Sequence, residues 1–408
     1  MLLRSFLVPV IFLLAVSQAK AQGPDLIIRK NVDRIDIPFE YENNFIIVKV
    51  VLNDIFPLRF IFDTGAEHTI LTQREITDLL QVNYARRIPI MGSDLREELY
   101  AFLAPGIKLN VSGLIAPNRT ILVLEEDYVN FQEFAGVNVN GILGADLFRR
   151  FAVRINYKQR IISLYDPTSF KPPGGRFVKV PMELERNKPY VRVPTAIAGE
   201  TPTECKLLVD TGAGLALLIY TNTHPNLNLP PHVIRSKLGM GLGGSIEGFL
   251  GRTNNLRFAG VDFNGVITNF QELPLRDDST WTQNRNGIIG NQILNRFHII
   301  FDYPRNALYM MPTANARAKF PSEKSGMMLA ASGKRLDTFV VYDIVPGSPA
   351  DLAGIRINDR VRSVNGSPAA LHSLEVLTNK FYGKAGKKIR VVLEREGVRM
   401  KVEFVLRE

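Results

Sequence analysis

The 408-residue chain contains one cysteine, Cys205, and five histidines. A lone thiol forbids an internal disulfide and any cysteine-rich zinc or iron–sulfur centre. The histidines, at positions 68, 224, 232, 298 and 372, never fall at the i, i+4 spacing of a helical zinc pair. No metal and no other cofactor is expected. Past the first residues no apolar run approaches the roughly 18 that a spanning helix needs. Basic residues outnumber acidic ones by 50 to 40, but they are scattered, as at Arg86-Arg87, Arg149-Arg150 and Lys387-Lys388. None of them forms the basic, aromatic-interleaved stretch of a nucleic-acid binder, so no nucleic-acid partner is expected.

The first residues form a separate segment. Arg4 precedes an apolar run over 6–16, and Ala19-Lys20-Ala21 follows. That order of cation, short apolar run and small-residue site reads as a secretory signal peptide over residues 1–21. The expectation is an exported protein, in a bacterial periplasm or outside the cell, with no membrane span in the mature chain. Without disulfides it must be held by its core alone.

The remaining sequence repeats itself. Ile37-Pro38-Phe39-Glu40 is echoed by Val180-Pro181-Met182-Glu183, and Phe60-Ile61-Phe62-Asp63-Thr64-Gly65-Ala66 by Leu207-Leu208-Val209-Asp210-Thr211-Gly212-Ala213. Asn140-Gly141-Ile142-Leu143-Gly144 returns as Asn286-Gly287-Ile288-Ile289-Gly290, and Arg150-Phe151 as Arg296-Phe297. The spacings are 143, 147, 146 and 146 residues, in one order, so the chain holds two copies of one unit. Short runs rich in Val, Ile, Leu and Phe predict strands over Phe45–Leu52, 59–62, 121–124 and 160–165. A short helix is expected after Gly144 and Gly290, over 145–150 and 291–296. The Pro- and Gly-rich stretch 166–175 reads as a linker. The units are expected at 25–170 and 176–313, followed by a third at 320–408. That tail should carry strands near 339–344, Arg360–Val364, 389–394 and 399–406, with helices over 350–353 and 371–381.

Asp-Thr-Gly occurs once in each copy, each time after an apolar strand. By composition such a tripeptide arises at roughly one position in five thousand, so two at equivalent points of a repeat carry weight. A carboxylate ending a buried strand in each copy can meet its counterpart on the pseudo-two-fold axis. Two carboxyls that close share one proton. The ionised one can activate water while the protonated one serves a scissile carbonyl. Other two-carboxylate chemistry, such as glycoside hydrolysis, needs a separation of about 5 Å or more. The Thr-Gly turns point to closer contact.

This pattern resembles the retropepsin-like aspartic proteases over about residues 35–312, with both lobes in one chain as in the pepsin-type arrangement. The resemblance implies a mainly β, bilobal fold with Asp63 and Asp210 as the catalytic dyad. Thr64, Gly65, Thr211 and Gly212 would support it, and Ile142-Leu143-Gly144 and Ile288-Ile289-Gly290 would brace the aspartate loops. Flaps are expected at Met91-Gly92-Ser93-Asp94 and around Gly243 and Gly244, although the first also reads as a plain turn. Peptide or protein substrate would lie in the inter-lobe cleft of a monomer. Pepsin-type enzymes commonly place Ser or Thr after Asp-Thr-Gly, where the hydroxyl favours the ionised dyad; Ala66 and Ala213 lack it. The optimum is therefore expected at roughly pH 4–6.5.

In the tail, Val345-Pro346-Gly347-Ser348-Pro349-Ala350 and Asn358-Asp359-Arg360-Val361 resemble an α+β PDZ domain of the kind found in bacterial envelope proteases. The resemblance implies a carboxylate-binding loop at Gly326, Met327, Met328 and Leu329 and a possible C-terminal peptide as partner. Two functions stay open: an exported aspartic endopeptidase, or a non-catalytic, peptide-binding envelope protein on the same scaffold. Cys205 reads as a small buried hydrophobe, and Trp281 as a cover for the second lobe.

Overall fold

A computed structural model of the protein describes residues 33–92, 98–127, 132–133, 136–199, 201–273 and 285–407. Residues 1–32, Ser93, Asp94 and Trp281 lie outside the described set, so the signal peptide, part of the first flap and the Trp281 reading are not addressed by it.

The fold is mainly β. Its strands follow from period-two patterning: in Arg34–Glu42, Ile35, Ile37 and Phe39 are buried while Arg34, Asp36 and Pro38 face outward. That strand turns back into Phe45–Leu52 through Asn43-Asn44, both in the left-handed region with φ 47° and 65°. Its counterpart turns through Arg186-Asn187 with φ 49° and 65°, joining strands Glu183–Glu185 and Lys188–Ala196. Asn is well suited to such a turn. The second copy uses Arg at the first position without changing the geometry.

In each copy the strand that precedes the aspartate, Phe56–Phe62 or Thr203–Val209, runs parallel to a three-residue strand, Gly141–Leu143 or Gly287–Ile289. A clamp recurs on the first of these strands. Arg59 pairs with Glu40 at 2.5 Å and Glu42 at 3.3 Å, and Lys206 pairs with Glu183 at 3.3 Å and with Glu185. The helices after Gly144 and Gly290 are Ala145–Phe148 and Asn291–Leu294, each two residues shorter than the sequence suggests.

The linker between the copies does not separate them. Strand Ala152–Asn156 of the first copy pairs antiparallel with Phe297–Asp302 of the second, Ile155 opposite Ile299. Val178–Pro181, from the start of the second unit, pairs with Ala307–Pro312 on the same sheet. One thirteen-stranded sheet thus runs through both copies, while an eight-stranded sheet belongs to the second alone. A single apolar core joins Phe60, Phe62 and Phe148 with Val209, Phe258 and Phe301. The tail has its own core around Phe339, Leu377 and Phe381.

The tail's strands lie at Met327–Ser332, Thr338–Ile344, Arg360–Val364, Lys388–Arg395 and Val398–Val405, with helices Pro349–Leu352 and Leu374–Asn379. Where one helix over 371–381 is expected, a 3-10 turn over Ala369–Leu371 comes first. Ser373 then caps a shorter helix by accepting from the Val376 N–H.

Candidate active site

Both Asp-Thr-Gly loops meet where the two copies face each other. Each loop is pinned from behind: the Asp63 N–H donates to Leu143 O at 3.1 Å and the Asp210 N–H to Ile289 O at 2.9 Å. The short helices attach to the loops without side-chain caps. Their first N–H groups donate to loop carbonyls, Ala145 to Ala66 and Asn291 to Ala213, so donors that a helix start leaves orphaned are satisfied.

The threonines tie the loops together. The Thr64 hydroxyl donates to Val209 O at 2.7 Å, and the Thr211 hydroxyl to Phe62 O at 2.8 Å. Each hydroxyl also accepts the other threonine's backbone N–H, both at 3.0 Å. The glycines then allow the carboxyls to approach. A Cβ on Gly65 would stand 2.6 Å from Asp210 Oδ2, and one on Gly212 would collide with the Asp63 carboxyl. Asp63 Oδ1 accepts from the N–H of Gly65 at 2.7 Å and of Ala66 at 3.0 Å; Asp210 Oδ1 accepts from Gly212 at 2.7 Å.

Asp63 and Asp210 lie side by side, each carboxyl packed against the glycine of the opposite loop. Burial pushes both carboxyls above the usual range, and the Asp210 charge lifts Asp63 further, well above that range. Two carboxyls this close resist ionising together, and a proton on one favours the charge on the other. Among the described residues no group of three or more His, Cys, Asp and Glu is placed to hold a metal ion. Cys205 is buried, and burial pushes its thiol up to about 11, which leaves it a packing residue.

The two expected flaps are both hairpins. Arg86–Met91 pairs with Glu98–Val111, and Ile234–Gly241 with Gly244–Phe258. Met91 ends its described strand and Gly92 follows it; Gly243 and Gly244 form the second tip, with φ +105° and +114°. The first candidate thus falls at the end of a paired strand, with Ser93 and Asp94 outside the described residues. Each hairpin reaches across to the other copy. Met91 packs with Leu218, Tyr220 and Leu273, and Leu242 with Ile70, Ala101 and Leu122.

Beneath them lies a cavity of about 1650 Å³ lined by Asp63, Asp210, Phe45, Val139 and Tyr220. The same cavity is lined by Gly326, Met328, Leu374 and Tyr382 of the tail. The tail sits against the second hairpin: the Ser236 hydroxyl touches Met328 Sδ at 3.9 Å, and the Lys237 N–H donates to the Asp343 carboxylate at 3.4 Å.

The expected carboxylate loop is already partly occupied. Glu323 accepts from the N–H of Ser325 at 2.7 Å and of Gly326 at 2.8 Å, and the Met327 N–H donates to the Ser325 hydroxyl at 3.0 Å. Met328 and Leu329 belong to strand Met327–Ser332, which lies at the edge of its sheet.

Sequence reasoning passed over two cations near the dyad, Lys188 and Arg285, and over Asn291. The Asn291 amide donates to Thr211 O at 2.6 Å and to Asn44 O at 2.7 Å, linking the second aspartate loop to the first hairpin turn. The repeat would have marked Lys188 and Arg285, because their counterparts are Phe45 and Val139. A search for like residues hides a change from apolar to charged.

Comparison with known families gives two matches. Residues 48–147 match an aspartyl protease family, and residues 340–395 match a PDZ domain. No curated protein matches the chain. The chain therefore carries an aspartyl protease domain followed by a PDZ domain, on a mainly β fold.

Proposed function

We propose that this chain, with its aspartyl protease domain ahead of a PDZ domain, is an aspartic endopeptidase with its dyad at Asp63 and Asp210. The observation that carries the reading is the pair of adjacent, partly buried carboxyls on loops locked across the lobe boundary by Thr64 and Thr211. A water held between the carboxyls loses a proton to the ionised one as its oxygen attacks the scissile carbonyl carbon. The protonated carboxyl donates to the carbonyl oxygen, giving a neutral gem-diol intermediate. Collapse of that intermediate breaks the C–N bond, and the proton gained from water passes to the leaving nitrogen. The lobes are residues 25–170 and 176–313, working within one chain.

The PDZ unit supplies a second site for peptide. Its edge strand Met327–Ser332 and helix Leu374–Asn379 border the cavity that contains the dyad. A peptide C-terminus entering there adds a strand to the edge and takes over the N–H groups now held by Glu323. Export is inferred from residues 1–21 alone.

The test is a peptide-library digest with wild type and Asp63→Asn side by side. Cleavage by wild type alone, blocked by a pepstatin-like transition-state mimic and indifferent to chelators, supports the reading. Peptide binding without cleavage by either protein would instead favour a non-catalytic scaffold.

A further inference from the structure

The two copies place different chemistry on the two sides of the dyad. In the first copy Phe45, immediately after the Asn43-Asn44 turn, packs with Ile47, Ile61 and Val139. Phe45, Ile61 and Val139 border the cavity, so that wall is apolar. The second copy reproduces the backbone closely. Its Arg186-Asn187 turn has matching dihedral angles, which puts Lys188 at the place of Phe45. Tyr190 pairs with Leu208 as Ile47 pairs with Ile61. Asn286 and Asn140 anchor their strands alike: each side chain accepts from the aspartate strand, Lys206 N–H at 2.8 Å and Arg59 N–H at 2.9 Å. Arg285 therefore stands where the first copy has Val139.

The positions of Phe45, Ile47, Ile61 and Val139 are thus taken in the second copy by Lys188, Tyr190, Leu208 and Arg285. Arg285 donates to the Tyr220 hydroxyl at 3.2 Å, its guanidinium 5.4 Å from that ring's centre, and Tyr220 borders the cavity. Among the described residues the buried Nε of Arg285 has no hydrogen-bond partner. Among the described residues, neither cation has a carboxylate within ion-pair distance. Glu67, the acidic residue after the first loop, is paired with Arg186 at 2.8 Å. Both cations act on Asp210, and Lys188 also acts on Asp63; burial and the neighbouring Arg285 push the Lys188 ammonium below its ordinary value. Asp63, Glu67 and Asp210 all act on Lys188, and Asp210 acts on Arg285. A cation held in such a place without a paired carboxylate is costly, and an acidic group brought beside it relieves that cost.

We infer that Lys188 and Arg285 form an anion-accepting subsite beside the dyad, so that the preferred substrate has an acidic side chain on one side of the scissile bond and an apolar one on the other. The inference rests on the endopeptidase reading for its meaning but not for its measurement. An Asp or Glu side chain there meets the Arg285 fork and the Lys188 ammonium, while its neighbour enters the pocket of Phe45 and Val139. The first wall, with no charge, takes the apolar side chain by burial alone.

The test uses the full-length protein and short peptides whose scissile amide is replaced by a reduced, uncleavable bond. Leu stands on one side and Glu, Gln or Leu on the other, in both orders, with calorimetry at about pH 6 so that Glu is ionised. Glu should bind about tenfold more tightly than Gln in one order, and the ratio should fall to near one in Arg285→Gln and in Lys188→Gln. Arg285→Glu should transfer the preference to a Lys-containing ligand, which would show that the altered site is folded. Equal binding of Glu and Gln ligands by wild type in both orders, or a ratio unchanged in the variants, overturns the inference. A parallel digest separates the two ideas. Binding preference without cleavage removes the catalytic reading and leaves the subsite standing; cleavage without preference does the reverse.

Discussion

Thr64 and Thr211 hold each other's loops: each hydroxyl donates to the carbonyl just before the partner's aspartate and accepts the partner's own N–H. Both side chains are fully buried, so removing either hydroxyl leaves donors and acceptors with no water to replace it. Thr64→Val keeps the shape and loses the bonds. It should cost about 1–3 kcal/mol of stability and lower kcat more than it raises KM. Denaturant unfolding with steady-state kinetics measures both; an unchanged kcat would show that the lock does not position the dyad.

Asp63→Asn and Asp210→Asn should each lower cleavage by at least about 100-fold, because each carboxyl is half of one acid–base unit. Circular dichroism should show both variants folded. Substantial hydrolysis by either one contradicts the dyad.

Stability should fall as pH rises above the ordinary carboxyl range. Both aspartates hold their proton above the value of an unfolded Asp, so the native state binds more protons than the unfolded one there. The dyad's contribution is complete at low pH and is lost as pH rises through the raised native value, at a slope of at most about 1.4 kcal/mol per pH unit per proton. Asp63→Asn, neutral at every pH, should flatten that slope in thermal melts followed from acidic to neutral pH.

Gly65→Ala should inactivate the protein without unfolding it, since the new methyl group lands on the Asp210 carboxyl while both lobe cores stay intact. The measurement is turnover against melting temperature. A variant of wild-type activity would mean that the loops separate freely.

Glu323→Gln should strengthen binding of a peptide with a free apolar C-terminus, because a neutral amide holds the Ser325 and Gly326 N–H groups less tightly than a carboxylate does. Fluorescence anisotropy with free and amidated peptides reads the effect. Equal binding of the two peptides by wild type and variant alike argues against a carboxylate site.

The sequence carried the strand-loop-strand unit around each aspartate because its determinants are local: an apolar run, a Thr-Gly turn and an apolar-Gly brace. Strand Phe45–Leu52 falls where patterning puts it. The shared sheet was not legible. The pairing of Ile155 with Ile299 depends on how two distant copies dock, and nothing in either strand's pattern names its partner. Glu323 was missed for a different reason: its hold on the loop is local, but a single acidic residue before a Gly has no distinctive spacing. Lys188 and Arg285 were recoverable from the repeat by position and were hidden by their identity.

The strand pair Ala152–Asn156 and Phe297–Asp302 also bears on how the chain responds to a break. A cut within 166–175 severs the peptide but neither the ladder nor the apolar core that spans it. The nicked molecule should elute as one species and come apart only in denaturant, and separately produced halves should find each other in solution. The covalent joint then matters chiefly for raising the halves' effective concentration, and a two-chain form of the same architecture is physically accessible to this sequence.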